Sequence, residues 1–162
     1  MDDSSMYFIH VGKSVSGHER YGVPERYKWI YDENRDLPYV TVVMTTHNRT
    51  NVACAVIDSL VKNIKYPKLK WCISDDRSDE GHIWSLVDQF NKNNIYDIKI
   101  LYTDNKHYGL GASLNNGLRY AWTNSDIVLT TEDDMLLTSV LNLEKYVNIL
   151  NNDTNVCGIR FE

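Results

Sequence analysis

The stretch Ile127-Val128-Leu129-Thr130-Thr131-Glu132-Asp133-Asp134 passes from an apolar, β-branched run straight into three consecutive carboxylates. The apolar part, residues 127–131, has the length and composition of a strand buried on both faces, which is the habit of parallel sheets. The acids then fall in the loop at its carboxyl end. Crowding three negative charges costs Coulomb energy, and more so where the site is partly buried. A hard divalent cation relieves that cost, because Mg2+ or Mn2+ takes one or two carboxylates together with diphosphate oxygens. Asp residues also end strands simply as turn formers and helix caps. That bland explanation loses force if other strands of the same sheet end in the same way.

They do. Residues 39–46 form a second β-branched run, ending in Thr45-Thr46-His47-Asn48-Arg49. Thr50 or Asn51 caps a helix with Val52, Val56, Leu60 and Ile64 on one face, stopped by Tyr66-Pro67. Residues 69–74 read as a strand ending in Asp75-Asp76-Arg77-Ser78. Beyond it come a helix over 83–90 and a strand over 95–102. A helix over 109–122 leads into the acidic strand, and a helix over 140–150 and a strand over 156–161 follow it. Strand and helix alternate throughout, which predicts parallel βαβ units with right-handed crossovers and hence a doubly wound α/β sandwich. In such a sheet ligands bind beyond the carboxyl ends of the strands, where all three polar clusters lie.

These clusters carry a resemblance. Thr45-Thr46-His47-Asn48-Arg49 is similar to the P-T-Y-N-R segment of family 2 glycosyltransferases of the GT-A fold, and Asp75-Asp76-Arg77-Ser78 to their D-D-G-S turn. The helix from Gly109-Leu110-Gly111-Ala112 through Asn115-Asn116-Gly117-Leu118 resembles their G-x-x-x-A-R-N-x-G helix, and Glu132-Asp133-Asp134 their D-x-D motif. The resemblance covers residues 39 to about 150. It implies a domain holding a nucleoside-diphosphate sugar, with UDP as the nucleotide and Mn2+ or Mg2+ as the cofactor. Thr45 and the backbone beside it at Thr46 would lie against the base, with His47 stacking in place of Tyr and Asn48 near the ribose or phosphate; Arg49 counts with them among the nucleotide-sugar-binding residues. Asp75 opens the turn, and Asp76 would accept the imide N–H of uracil. Asp133 would contact the ribose or sugar, and Asp134, with Glu132, would hold the metal. Lys106, with His107 second, is the candidate for a basic group near the phosphates. Three positions depart from the pattern: Thr45 for Pro, His47 for Tyr and Arg77 for Gly.

The implied reaction moves a sugar to a hydroxyl of a carbohydrate or other acceptor, with inversion at the anomeric carbon. That reaction needs a general base, which inverting members supply from a second, acceptor-binding half. No corresponding segment is expected here after Asp134. Glu162 ends the last strand at the productive edge and is a candidate base, although a chain terminus preorganises a catalytic group poorly. A fragment of a longer enzyme, a transferase completed by a partner domain or homo-oligomer, and a non-catalytic nucleotide-sugar binder all remain open. A nucleotidyltransferase is disfavoured, because the loop after the first strand lacks the glycines that cradle a triphosphate.

Composition narrows the classes further. A net charge of −5 argues against nucleic-acid binding through bulk electrostatics, and 43% hydrophobic residues suit a packed domain rather than a disordered chain. Cys54, Cys72 and Cys157 sit in apolar runs at no metal-like spacing, and read as buried free thiols in a reducing compartment. Without a leader-like start or a run of about 20 apolar residues, the expected location is the cytoplasm. Residues 1–37 show no sustained period and read as an extension packed on the domain, with Tyr27, Trp29, Ile30 and Tyr31 against it. Gly12-Lys13-Ser14 is not a P-loop: position 7 is Tyr7 rather than Gly, and no clear strand is expected before it. Trp71, Trp84 and Trp122 are expected in the core or at its edge.

Overall fold

The computed structural model describes residues 7–11, 37–103, 107–153 and 155–161. The rest of the expected N-terminal extension, Lys106 and Glu162 lie outside the described residues. In chain order the elements are β1 (Tyr7–Val11), β2 (Val40–Thr46), α1 (Thr50–Asn63), β3 (Ile64–Lys65), β4 (Leu69–Asp75) and α2 (Glu80–Lys92). Then follow β5 (Ile98–Tyr102), α3 (Leu110–Asn124), β6 (Ile127–Glu132), β7 (Leu141–Asn142), α4 (Leu143–Asn152) and β8 (Gly158–Phe161). Six strands form one sheet in the order β5-β4-β2-β6-β1-β8, every pairing parallel. β3 and β7 make a separate two-stranded parallel pair.

Alternation along the central strands builds two apolar layers. Val40, Val42 and Met44 of β2, with Trp71, Ile73, Ile127 and Leu129, face α1, α2 and α4 through Ala53, Val56, Ile57, Leu60, Leu86, Phe90, Leu143, Val147 and Leu150. Val43, Cys72 and Val128 face the opposite way, against Ala121 of α3. Parallel strands covered on both faces must read as continuous apolar runs, and these do. The α/β/α sandwich is the expected architecture.

The differences are local. β1 is a strand inserted between β6 and β8, where a featureless extension was expected. Val52 is exposed; α1 buries Ala53, Val56, Ile57 and Leu60, a cleaner helical stripe that leaves the valine outside. Helix α4 begins at Leu143 rather than 140, because Asn142 caps it by accepting the Glu144 N–H at 3.1 Å. Trp71 is buried edge-on against Phe90, whereas Trp84 and Trp122 are exposed. Of the thiols only Cys72 is fully buried, which pushes its pKa up to about 12; Cys54 is half-buried and Cys157 exposed. No helix among the described residues is long and apolar enough to cross a membrane.

Gly117 lets α3 approach the sheet. A Cβ there would overlap Val43 Cγ1 on the central strand. Gly117→Ala is therefore expected to destabilise the domain by about 1–2 kcal/mol, overpacking outweighing the helix propensity that alanine brings. Urea unfolding of the two proteins measures the difference.

Candidate active site

The chain leaves β2 for β4 and β5 on one side of the sheet and returns to β6 on the other, so β2 and β6 flank the topological switch point. The strand register aligns the polar ends: Thr45 is level with Glu132, and Thr46 with Asp75. The three clusters singled out in the sequence thus meet at one edge. The Asp76 N–H donates to the Thr46 carbonyl at 3.0 Å and ties two of them together directly.

Asp133 is the buried centre of this edge, at 2% exposure. Its Oδ2 accepts the Thr46 hydroxyl at 2.8 Å and the His47 N–H at 3.3 Å, and its Oδ1 lies 3.4 Å from Arg49 Nε. Arg49 Nη1 donates to Oδ2 of the exposed Asp134 at 2.6 Å. That hydrogen bond, and then the charge of Asp133, raise the guanidinium pKa above its ordinary value. Arg49 therefore supplies, within the chain, part of the countercharge that the crowded acids were expected to take from a metal alone. Being half-exposed, this pair contributes little to stability.

His82 of α2, which the sequence reading passed over, is buried beneath Thr46. Its Nε2 is 2.9 Å from Thr46 Oγ1 and its Nδ1 2.9 Å from Thr50 Oγ1. Burial lowers its pKa, against the smaller raising effects of Asp75 and Asp133. A lone histidine in a helix gives no periodic signal; only its two threonine partners, distant in sequence, reveal its place.

The two acids of the β4 turn have different surroundings. Asp75 is fully buried, and its Oδ2 accepts the Ser78 N–H at 2.7 Å. Its Oδ1 is buried without a hydrogen-bond partner among the described residues, as is His47 Nδ1. Asp76 Oδ1 accepts the Tyr108 N–H at 2.8 Å and Oδ2 the Gly109 N–H at 2.6 Å, with His107 Nδ1 2.8 Å from Oδ2. Gly109, at φ 88°, is the N-cap of α3 and brings no side chain to cap it. Asp76 instead binds the two backbone N–H groups just before the helix, a carboxylate near its positive end. The His47 and His107 rings stand 4.4 Å apart between centroids beside it.

Asn48 binds the end of the β4 turn. Its Oδ1 accepts the Asp79 N–H at 2.8 Å and its own N–H donates to Ser78 Oγ at 2.8 Å, so it joins the β2 loop to the start of α2. Asn48 and Arg77 both have positive φ, 52° and 61°. Position 77 is where the resembling turn carries Gly, and the left-handed backbone there is the physical reason. Among the described residues no three His, Cys, Asp or Glu side chains group as a metal cage.

An all-parallel α/β sandwich with polar groups gathered at the switch point is the architecture of a doubly wound ligand-binding domain, and the family and structures it matches make it a GT-A fold. The profile of glycosyl transferase family 2 matches residues 41–162, and the chain belongs to that family. Among solved structures it is similar to a mannosyltransferase from Pyrobaculum calidifontis, PcManGT, determined with GDP-Man and Mn2+. That match has 22% identity and a TM-score of 0.57, covering 70% of this chain and 32% of that one. It is also similar to TarS of S. aureus, at 19% identity and a TM-score of 0.55, covering 70% of this chain and 19% of that one. At these identities the likeness is one of fold, and the matched part is at most about a third of the length of those structures. No curated protein matches the chain.

The lowered pKa of His82 fixes a sign for the pH response. The unfolded chain binds a proton at this histidine near pH 6.5, before the folded protein does, so stability is complete above that value and declines as pH falls below it. Thermal unfolding at pH 7.5 and 5.5 should show a smaller acid-induced loss in His82→Gln than in the wild type.

Proposed function

We propose that the chain is the donor-binding part of a metal-dependent glycosyltransferase that takes a UDP sugar and transfers the sugar to a hydroxyl acceptor with inversion. The observation that carries this reading is the meeting of three polar strand ends at the switch point, with Asp133 buried and Asp134 exposed beside it. Membership of family 2 supports glycosyl transfer. The GDP-Man and Mn2+ of PcManGT support a nucleoside-diphosphate sugar and a divalent ion as its ligands.

Each residue then has a task. The His47 ring stacks on the base, and Thr45 and Thr46 line the wall beneath it. Asp76 Oδ1 accepts one backbone N–H and keeps a second lone pair for the imide N–H of uracil. Asp75 Oδ1 and His47 Nδ1, buried without a partner among the described residues, favour a ligand here, since an unsatisfied buried polar atom costs about 1–3 kcal/mol. Asp133 receives the ribose or sugar hydroxyls. Arg49, between Asp133 and Asp134, is placed to exchange a carboxylate for a phosphate, which its planar fork suits equally. Asn48, whose Oδ1 also joins this loop to α2, meets the ribose or phosphate, and Lys106, with His107 second, is the candidate basic residue for the diphosphate.

The donor set offered to a metal is oxygen only, from Asp134 and Glu132. That fits Mg2+ or Mn2+, which bind through one or two carboxylates and complete their shell with phosphate oxygens and water rather than with a protein cage. When bound, the ion neutralises charge developing on the departing diphosphate. The acceptor hydroxyl attacks the anomeric carbon from the opposite side and loses its proton to a base; none of the described residues is assigned that part. Three free cysteines suit a reducing compartment, and the reading places the protein in the cytoplasm.

Calorimetric titration with UDP, GDP and CDP, with and without Mn2+, tests this directly. UDP is expected to bind only with the metal, and Asp134→Ala to weaken that binding at least about tenfold, or 1.4 kcal/mol. Preference for GDP would overturn the base assignment alone. Failure of every nucleotide to bind with Mn2+ present would overturn the donor-site reading.

A further inference from the structure

We infer that His82 is a positioning residue for Asp133, acting through the Thr46 hydroxyl; the consequence for ligand binding rests on the donor-site reading above. Proton counting fixes the direction of each hydrogen bond. Thr46 Oγ1 has a single proton, and an ionised carboxylate can only accept, so that proton goes to Asp133 Oδ2 at 2.8 Å. His82 Nε2 lies 2.9 Å from the same oxygen and must therefore donate to it. With the proton on Nε2, a neutral ring leaves Nδ1 an acceptor, and the Thr50 hydroxyl 2.9 Å away supplies the matching donor. The chain Thr50, His82, Thr46, Asp133 then has one direction and no mismatched member.

That direction has a structural effect. Thr50 opens α1, His82 lies in the first turn of α2, Thr46 ends β2 and Asp133 follows β6. Four elements are thus tied to the orientation of one carboxylate. A free threonine hydroxyl rotates among staggered positions and donates to whichever acceptor is nearest. With His82 donating into its lone pair, the Thr46 proton is directed onto Asp133 Oδ2. Together with the His47 N–H, this holds Oδ2 against the strand end and leaves Oδ1 as the atom next to Arg49 and the ligand. A histidine that merely filled space between α1 and α2 would need neither a particular tautomer nor a hydroxyl on each side.

The experiment has two arms on the full chain. In 15N-histidine-labelled wild type at pH 7, long-range proton–nitrogen correlation should show His82 as the neutral Nε2–H tautomer. The Asp133 carboxyl 13C resonance should shift in His82→Ala and stay near its wild-type position in His82→Gln, which keeps an N–H donor at the corresponding place. In the second arm, UDP with Mn2+ should bind His82→Ala about three- to tenfold more weakly, the worth of one hydrogen bond, and His82→Gln nearly as well as wild type. An Nδ1–H tautomer, an imidazolium at pH 7, or an unmoved Asp133 resonance in His82→Ala overturns the inference. If His82→Ala fails to fold, the tautomer and the glutamine variant decide it. If the wild type binds no nucleotide, the donor-site reading fails while the spectroscopic arm still decides the relay.

Discussion

One buried carboxylate constrains the rest of this site. Asp133 lies at the switch point of a parallel sheet, out of water, and a charge in that position must be answered by donors or neutralised. The fold answers it from several elements at once: the Thr46 hydroxyl and His47 N–H at the end of β2, the Arg49 guanidinium just before α1, and His82 from α2 through Thr46. Each of these groups has a reason to be where it is that packing alone does not provide. The apolar layers on either face hold the strands in register, and the register brings the donors within reach of the acid.

A second carboxylate organises the other half of the edge. Asp76, in the turn after β4, accepts both the Tyr108 and the Gly109 N–H and so fixes the loop that leads into α3. The helix start has no capping side chain, and Gly109 supplies the positive φ of its entry. Gly117, further along α3, sets how closely that helix lies on Val43. The sheet edge that presents acids is thus held by its neighbours' hydrogen bonds at Asp133 and Asp76 and exposed at Asp134 and Arg49. The protein's own hydrogen bonds thus pre-organise these groups.

Much of this was legible in the chain. Buried parallel strands cannot hide, because both faces must be apolar, and residues 127–131 and 39–46 announced themselves on that ground. The polar ends followed from where the apolar runs stop. What escaped reading is what depends on distant partners. β1 is five residues long and includes His10, and only its pairing with β6 and β8 makes it a strand. Val52 and Ala53 are adjacent, and period alone favoured the larger residue where the packed interface takes the smaller. His82 has partners 36 and 32 residues away, and the bond from the Asp79 N–H to Asn48 Oδ1 likewise spans 31 residues. Local pattern finds elements and edges; side-chain pairing across the sheet decides which groups are free to act.

Paramagnetic broadening by Mn2+ in the presence of UDP addresses the central claim, that the carboxyl edge of β2, β4 and β6 is one ligand-binding site. In amide spectra of the labelled chain, signals of Glu132 to Asp134, His47 to Arg49 and Asp75 to Ser78 should broaden together at substoichiometric Mn2+, and those at the opposite sheet edge should persist. Broadening centred elsewhere, or confined to scattered surface acids and indifferent to UDP, would contradict the account.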